Sequence, residues 1–186
     1  MTSRCSTTAF ARLFATGAAI ASALLLAGCI DSKEPILTGA QPVLGSKLTL
    51  QLYGLRDGHA VDPERVRFAW DGKRYVRAGG GVKDIASFSL HPFEGGDSIV
   101  QSVSVRHPEH VEYAIAHPLA DGVYLVNAID EEDADATARA QCTHPGGVAC
   151  RIETREQLFA FARATAARHN ANGGLAIRLA DDKHRR

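Results

Sequence analysis

The chain has no excess of charge, no apolar run long enough to remain in a bilayer and no short catalytic signature. Each lack removes a class of function. Lysine plus arginine number 21 and aspartate plus glutamate number 21, so nothing supplies the positive field that gathers nucleic acid. No nucleic-acid partner is expected. The uncharged, mostly apolar stretch at residues 13–27 is 15 residues long, short of the ~20 that span a hydrocarbon core as a permanent helix. Neither Gly-x-Ser-x-Gly nor His-Glu-x-x-His occurs, so the common signatures of acyl-transfer enzymes and zinc proteases are missing. Gly79-Gly80-Gly81-Val82-Lys83 lacks the spacing and the following Ser/Thr of a phosphate-cradling loop and reads as a connection between strands. The acidic residues 130–135 lack the spacing and central glycine of a calcium loop. They read instead as a capped helix start, with Asp130 as the cap and acids in the first turn.

What is present begins at the N-terminus. Arg4 and Arg12 are its only charges before the apolar stretch, and the stretch ends in Leu26-Ala27-Gly28-Cys29. A basic segment followed by a short apolar one is the layout of a secretory signal. The final four residues resemble the lipobox of bacterial lipoproteins at every position. The resemblance covers the targeting segment alone. It implies diacylglycerol transfer to the Cys29 sulfur, cleavage between Gly28 and Cys29, and in many bacteria a further acyl chain, such as palmitate, on the new amino group. The membrane is then a partner through Cys29, since two acyl chains hold a protein stably on a bilayer. In the enteric sorting rule an aspartate directly after the cysteine favours inner-membrane retention. Ile30 stands there, which points to the outer membrane and a periplasm-facing domain.

Removal of residues 1–28 leaves 158 residues with 19 basic and 21 acidic side chains, a net charge of −2. That length suits one domain with a real core. Besides Cys29 the mature chain keeps Cys142 and Cys150, separated by seven residues that include Pro145-Gly146-Gly147. In an oxidising compartment this spacing reads as a local disulfide, because a redox pair favours Cys-x-x-Cys and a zinc site wants further ligands.

Residues 29–45 contain Pro35, Gly39, Pro42 and Gly45 and no sustained period, the pattern of a flexible tether after the lipidated cysteine. From residue 46 to residue 180 the chain reads as a single β-rich domain, and residues 181–186 as a charged tail. Leu48, Leu50 and Leu52 alternate with polar neighbours, as do Val66, Phe68 and Trp70, then Phe88 and Leu90. Ile99, Val103 and Val105 share a phase, as do Val111, Tyr113 and Ile115. Asp71-Gly72 and Asp121-Gly122 are hairpin signals. The surrounding residues echo one another (Val66-Arg67-Phe68-Ala69 against Val111-Glu112-Tyr113-Ala114), which either duplicated hairpins or independent use of favourable residues explains.

Thr154 with Gln157 forms a capping box, and Leu158, Phe161, Ala162, Thr165 and Ala166 make a helical stripe over residues 154–169. Asn172-Gly173-Gly174 stops that helix, and Leu175, Ile177 and Leu179 alternate in a last strand.

The expected fold is α+β and mainly antiparallel, a curved sheet, sandwich or small open barrel with a C-terminal helix packed on it and a final strand. No catalytic residue, metal ligand or cofactor is assigned. His107, Glu109, His110 and His117 hold metal-ligand chemistry, but Pro108 forbids a regular helix joining them, and strand residues three apart face opposite sides. Tyr53 and Tyr75 fall on the polar phase of their strands and form a candidate binding surface. The expected function is that of a non-enzymatic envelope lipoprotein that binds a partner protein or envelope polymer. The alternatives are an envelope hydrolase with a site assembled from scattered His, Asp and Ser, and a carrier holding a small apolar molecule in a barrel cavity.

Overall fold

The computed structural model describes residues 30–56, 59–80, 85–131, 134–143, 150–168 and 175–180. The expected signal segment, Cys29, residues 132–133, the expected Gly173-Gly174 stop and the expected charged tail lie outside them.

Alternation makes the strands and register makes the barrel. The meander runs through β2 (Lys47–Arg56), β3 (His59–Trp70), β4 (Tyr75–Gly80), β5 (Ile85–Pro92), β6 (Ser98–Ser104), β7 (Val111–Ala120) and β8 (Val123–Ala128), and closes through β10 (Leu175–Leu179). Every neighbouring pair is antiparallel, β10 lies between β8 and β2, and β6 pairs with β7 along six residues. The eight strands therefore close on themselves. This corrects the expectation of an open barrel or sandwich: closure removes the unpaired edges that an open sheet would have to protect.

Directly opposed residues face the same side of a sheet, which traces an inner belt strand by strand. Leu48 opposes Phe68 and Leu50 opposes Val66; Tyr75 opposes Phe88, and Leu90 opposes Val100. Val100 opposes Ala114, Ala116 opposes Val126, and Ile177 opposes both Tyr124 and Leu52. These residues form one buried cluster inside the barrel.

A second cluster lies outside it. Ile99, Val111, Tyr113 and Ile115 point outward from β6 and β7 and are covered by Leu158, Phe161 and Ala162 of α2 (Arg155–Arg168). The capping box forms as the sequence predicts: Gln157 N–H donates to Thr154 Oγ1 at 3.2 Å, and Thr154 N–H donates to Gln157 Oε1 at 2.9 Å. Arg163 adds a two-pronged contact to Glu94, tying α2 to the 3₁₀ turn Glu94–Gly96 between β5 and β6. The preceding helix, α1 (Ala136–Arg139), is a single turn capped by Asp135, whose Oδ1 accepts from Ala138 N–H at 2.7 Å. The cap is thus Asp135 and not Asp130.

The N-terminal segment is folded, not a tether. In β1 (Ile30–Ser32), Asp31 and Ser32 pair with Glu112 and Val111 of β7, while Ile30 and Asp31 run parallel to β9 (Cys150–Arg151). Ile30 is 0 % exposed. The segment lacks periodicity because side chains from distant strands hold its backbone. Tyr113 Oη accepts from Ile36 N–H at 3.2 Å, and Gln101 clamps Leu37 by accepting from its N–H and donating to its C=O. Cys142 and Cys150 are bonded, with Cα atoms 5.2 Å apart, and Cys150 is fully buried beside Ile30.

Two further sequence expectations change. Asp71-Gly72 does not make a two-residue turn: Trp70 opposes Tyr75, so four residues form the loop, and Asp71 Oδ1 accepts from the amides of Lys73 and Arg74. The echoed residues face opposite ways, with Val66 and Phe68 inside the barrel and Val111 and Tyr113 outside. Independent use of favourable residues explains that echo better than duplication. Val105 lies beyond the end of β6 and is exposed.

Candidate ligand cavity

Eight-stranded barrels have interiors just wide enough to be filled by side chains or to hold one small ligand. Which outcome applies depends on the size of the inward residues. On β2, β5 and β10 these are large: Leu48, Leu50, Leu52, Phe88, Leu90, Leu175, Ile177 and Leu179. On β6 and β7 they are small: Ser98, Val100, Ser102, Ala114 and Ala116. One wall therefore stands back from the other, and an apolar cavity is left between them.

The cavity reaches from Ile85, Leu52 and Leu175 at one end of the barrel to Leu90, Ser98 and Leu179 at the other. Water-sized groups can centre themselves in ≈ 90 Å³ of it, and the whole empty space, including the part open to solvent, is ≈ 760 Å³. Its described lining is aliphatic or aromatic apart from the hydroxyls of Ser98, Ser102 and Tyr124, and carries no charged side chain. Ser102 Oγ donates to the Glu112 carbonyl at 3.4 Å.

One end is crossed by a strap. Residues 38–46 run from Leu37, held on the outer face of β6 by Gln101, to Ser46, whose carbonyl accepts from Trp70 N–H at the start of the β2–β3 ladder. Leu44 packs on the inner cluster, while Val43 touches the cavity yet is 59 % exposed. Tyr75 fixes this crossing from inside. Its hydroxyl accepts from Leu44 N–H and donates to the Gly45 carbonyl, each at 3.0 Å. Burial raises the Tyr75 pKa above the usual phenol value, which keeps the donor proton in place.

Tyr75 is therefore not part of a binding surface. It is 0 % exposed, stacked on Phe88 with ring centroids 5.0 Å apart and edge-on to Trp70. The four-residue loop before it sets its phase inward. Tyr53 pairs with Ala176, whose neighbours Leu175 and Ile177 line the cavity, so Tyr53 faces outward and the two tyrosines do not converge.

The histidines form separate local sites. His110 Nδ1 lies 2.8 Å from Asp31 Oδ2, and Arg151 meets Asp31 through Nε at 3.0 Å and Nη2 at 3.2 Å. This cluster clips β1, β9 and the β6–β7 turn together. His107 contacts Glu109 at 3.6 Å on that turn. His117 lies at the strap end, where its Nδ1 is 2.6 Å from Asp97 Oδ1. Among the described residues no group of three or more His, Cys, Asp or Glu side chains is arranged to hold a metal ion.

His91 Nε2 lies 2.9 Å from Ser89 Oγ, a spacing compatible with base and nucleophile. Both residues are buried on the outer face of β5, and Gln101 Nε2, which clamps the strap, donates to Ser89 Oγ at 3.4 Å. Burial, reinforced by the Arg155 charge, lowers the His91 pKa. Neither residue lines the cavity; through Ser89 the pair contacts Gln101, the residue that clamps Leu37.

Comparison of the chain with protein-family models, curated proteins and solved structures gives no match.

Two features of the sequence match the cavity: Leu175, Ile177 and Leu179 form one face of the last strand, and Ser98, Ser102, Ala114 and Ala116 are small residues on the phase opposite Ile99, Tyr113 and Ile115, whose face is a core because α2 covers it.

Proposed function

We propose that the protein is a lipid-anchored component of the bacterial cell envelope that binds one small apolar molecule inside its barrel. The observation that carries this reading is the cavity itself: six strands contribute to an apolar lining with a few convergent hydroxyls, the composition of small-molecule pockets generally. The lipobox at Leu26-Ala27-Gly28-Cys29 supports the anchor, and Ile30 after the cysteine supports the outer membrane. Burial of Ile30 means that a lipid on Cys29 has no spacer before the folded domain. Such a protein works at the membrane surface, where apolar molecules are concentrated.

The test is titration of the purified protein with N-phenyl-1-naphthylamine, a neutral dye that brightens in apolar surroundings. Saturable binding is expected in the wild type and a marked loss in Ala116→Leu and Ser102→Leu, each of which fills the recessed wall. Thermal melts establish that the variants are folded. Binding that is absent, or that survives both substitutions in folded protein, contradicts the reading.

A second reading, docking of an envelope protein or polymer, rests on Val43 and Leu119. They are 59 % and 58 % exposed, one on the strap and one on β7 near its turn into β8. Cross-linking in cells from these two positions, with the captured partner identified, tests it.

A further inference from the structure

The chemistry of the lining narrows the ligand class. This inference rests on the cavity reading above. We propose that the cavity takes an uncharged amphiphile: an alkyl or isoprenoid body carrying a single hydroxyl, carbonyl or ester group, oriented with that group toward the strap.

Three observations carry the proposal. First, no described residue of the lining bears a charge. An ionised carboxylate, phosphate or ammonium moved into such a space gives up its hydration without gaining a partner, the costliest kind of burial. Second, the hydroxyl-bearing residues are placed unevenly. Ser98 opposes Ala116 and Tyr124 opposes Pro118, which puts both toward the end of β7 where the strap crosses. At the other end Leu52, Ile85 and Leu175 offer hydrocarbon, and Ser102 spends its proton on the Glu112 carbonyl. A ligand with one polar end therefore fits in one direction, with its tail away from the strap. Third, size is limiting. At roughly 30 Å³ per water-sized group, ≈ 760 Å³ of empty space holds at most about 25 heavy atoms. That bound, which counts space open to solvent, leaves room for one chain at most and excludes full enclosure of a two-chain phospholipid.

The test is competition against bound N-phenyl-1-naphthylamine by 1-decanol, decanoate and decyltrimethylammonium, which share one chain and differ in charge. At about pH 8 decanol is expected to displace the dye at least about tenfold more effectively than either ion. The gap between decanol and decanoate is expected to narrow as pH approaches about 4, near the ordinary carboxylate pKa of about 4.3, where the acid becomes neutral. The gap to the permanent cation stays. Ser98→Val and Tyr124→Phe are expected to weaken decanol several-fold more than they weaken the dye, because the alcohol head group loses its partner.

Equal displacement by decanol and decanoate at about pH 8 overturns the neutral-ligand proposal and leaves the cavity reading intact. So does a decanol affinity indifferent to both hydroxyl substitutions in proteins that still bind the dye. Failure of the dye itself to bind, or binding indifferent to Ala116→Leu and Ser102→Leu, overturns the cavity reading and this proposal with it.

Discussion

Tyr75 and Leu44 are joined across the strap end of the barrel: the buried Tyr75 hydroxyl accepts from the Leu44 amide at 3.0 Å while donating to the Gly45 carbonyl at 3.0 Å. One side chain on β4 thereby positions the segment that closes one end of the cavity. It fixes Leu44 over the inner cluster and leaves Val43 at the rim.

Tyr75→Phe keeps the stacked ring and removes both hydrogen bonds. The Leu44 amide and Gly45 carbonyl then lose partners in a partly buried position, which costs about 1–3 kcal/mol. Urea unfolding is expected to show that loss with an unchanged slope, and amide exchange at Leu44 is expected to quicken while exchange in β7 stays protected. Unchanged exchange at Leu44 would show that the strap is held by other contacts.

Replacing Cys142 and Cys150 together by serine opens the loop that ends at β9. Closing so short a loop contributes about 2–3 kcal/mol in the chain-entropy model, and a fully buried serine at position 150 adds to the loss. The double variant is expected to unfold at lower urea, and non-reducing mass analysis of the wild type is expected to read two hydrogens below the dithiol.

His91 gives the stability a pH dependence. Burial, and the Arg155 charge in support, hold its folded pKa below the ordinary value of 6.5, so the unfolded chain takes up the proton more readily. Its contribution is level above pH 6.5 and is lost as pH falls below that value and through the lowered folded pKa. Urea midpoints measured from about pH 8 to about pH 5 are expected to fall less steeply for His91→Gln than for the wild type. Identical slopes would remove His91 as the cause.

Much of the barrel was legible in the sequence. Leu48/Leu50/Leu52, Val66/Phe68/Trp70 and Leu175/Ile177/Leu179 alternate because one face of each strand is inside, and Thr154 with Gln157 announced the start of α2. Closure was not legible, because it rests on β6–β7 pairing combined with β10 slotting between β8 and β2, a property of the whole set of strands. The docking of residues 30–45 escaped for a different reason. Beyond the short β1 ladder, the segment is held by side-chain hydrogen bonds to Tyr113, Gln101 and Tyr75, which lie from 30 to 81 residues away and impose no local period. Tyr75 illustrates the hazard at the site: an apparent polar phase became the interior once the preceding loop proved to be four residues long.

The lipid anchor is tested separately from the cavity. Cys29→Ala removes the sulfur proposed to accept the lipid, and the variant is expected to accumulate as an uncleaved or mislocalised precursor in membrane fractionation. Normal processing and membrane retention in that variant would contradict the lipoprotein reading while leaving the barrel chemistry untouched.

The central claim is that a small uncharged amphiphile occupies the barrel interior, and nuclear Overhauser contacts between 1-decanol and the methyl groups of the protein test it most directly. The account predicts contacts from the alkyl chain to Leu52, Val100, Val126 and Ile177, with the carbinol end nearest Ser98 and Tyr124. Contacts confined to the exposed methyls of Val43 and Leu119, or none at saturating ligand, would contradict it.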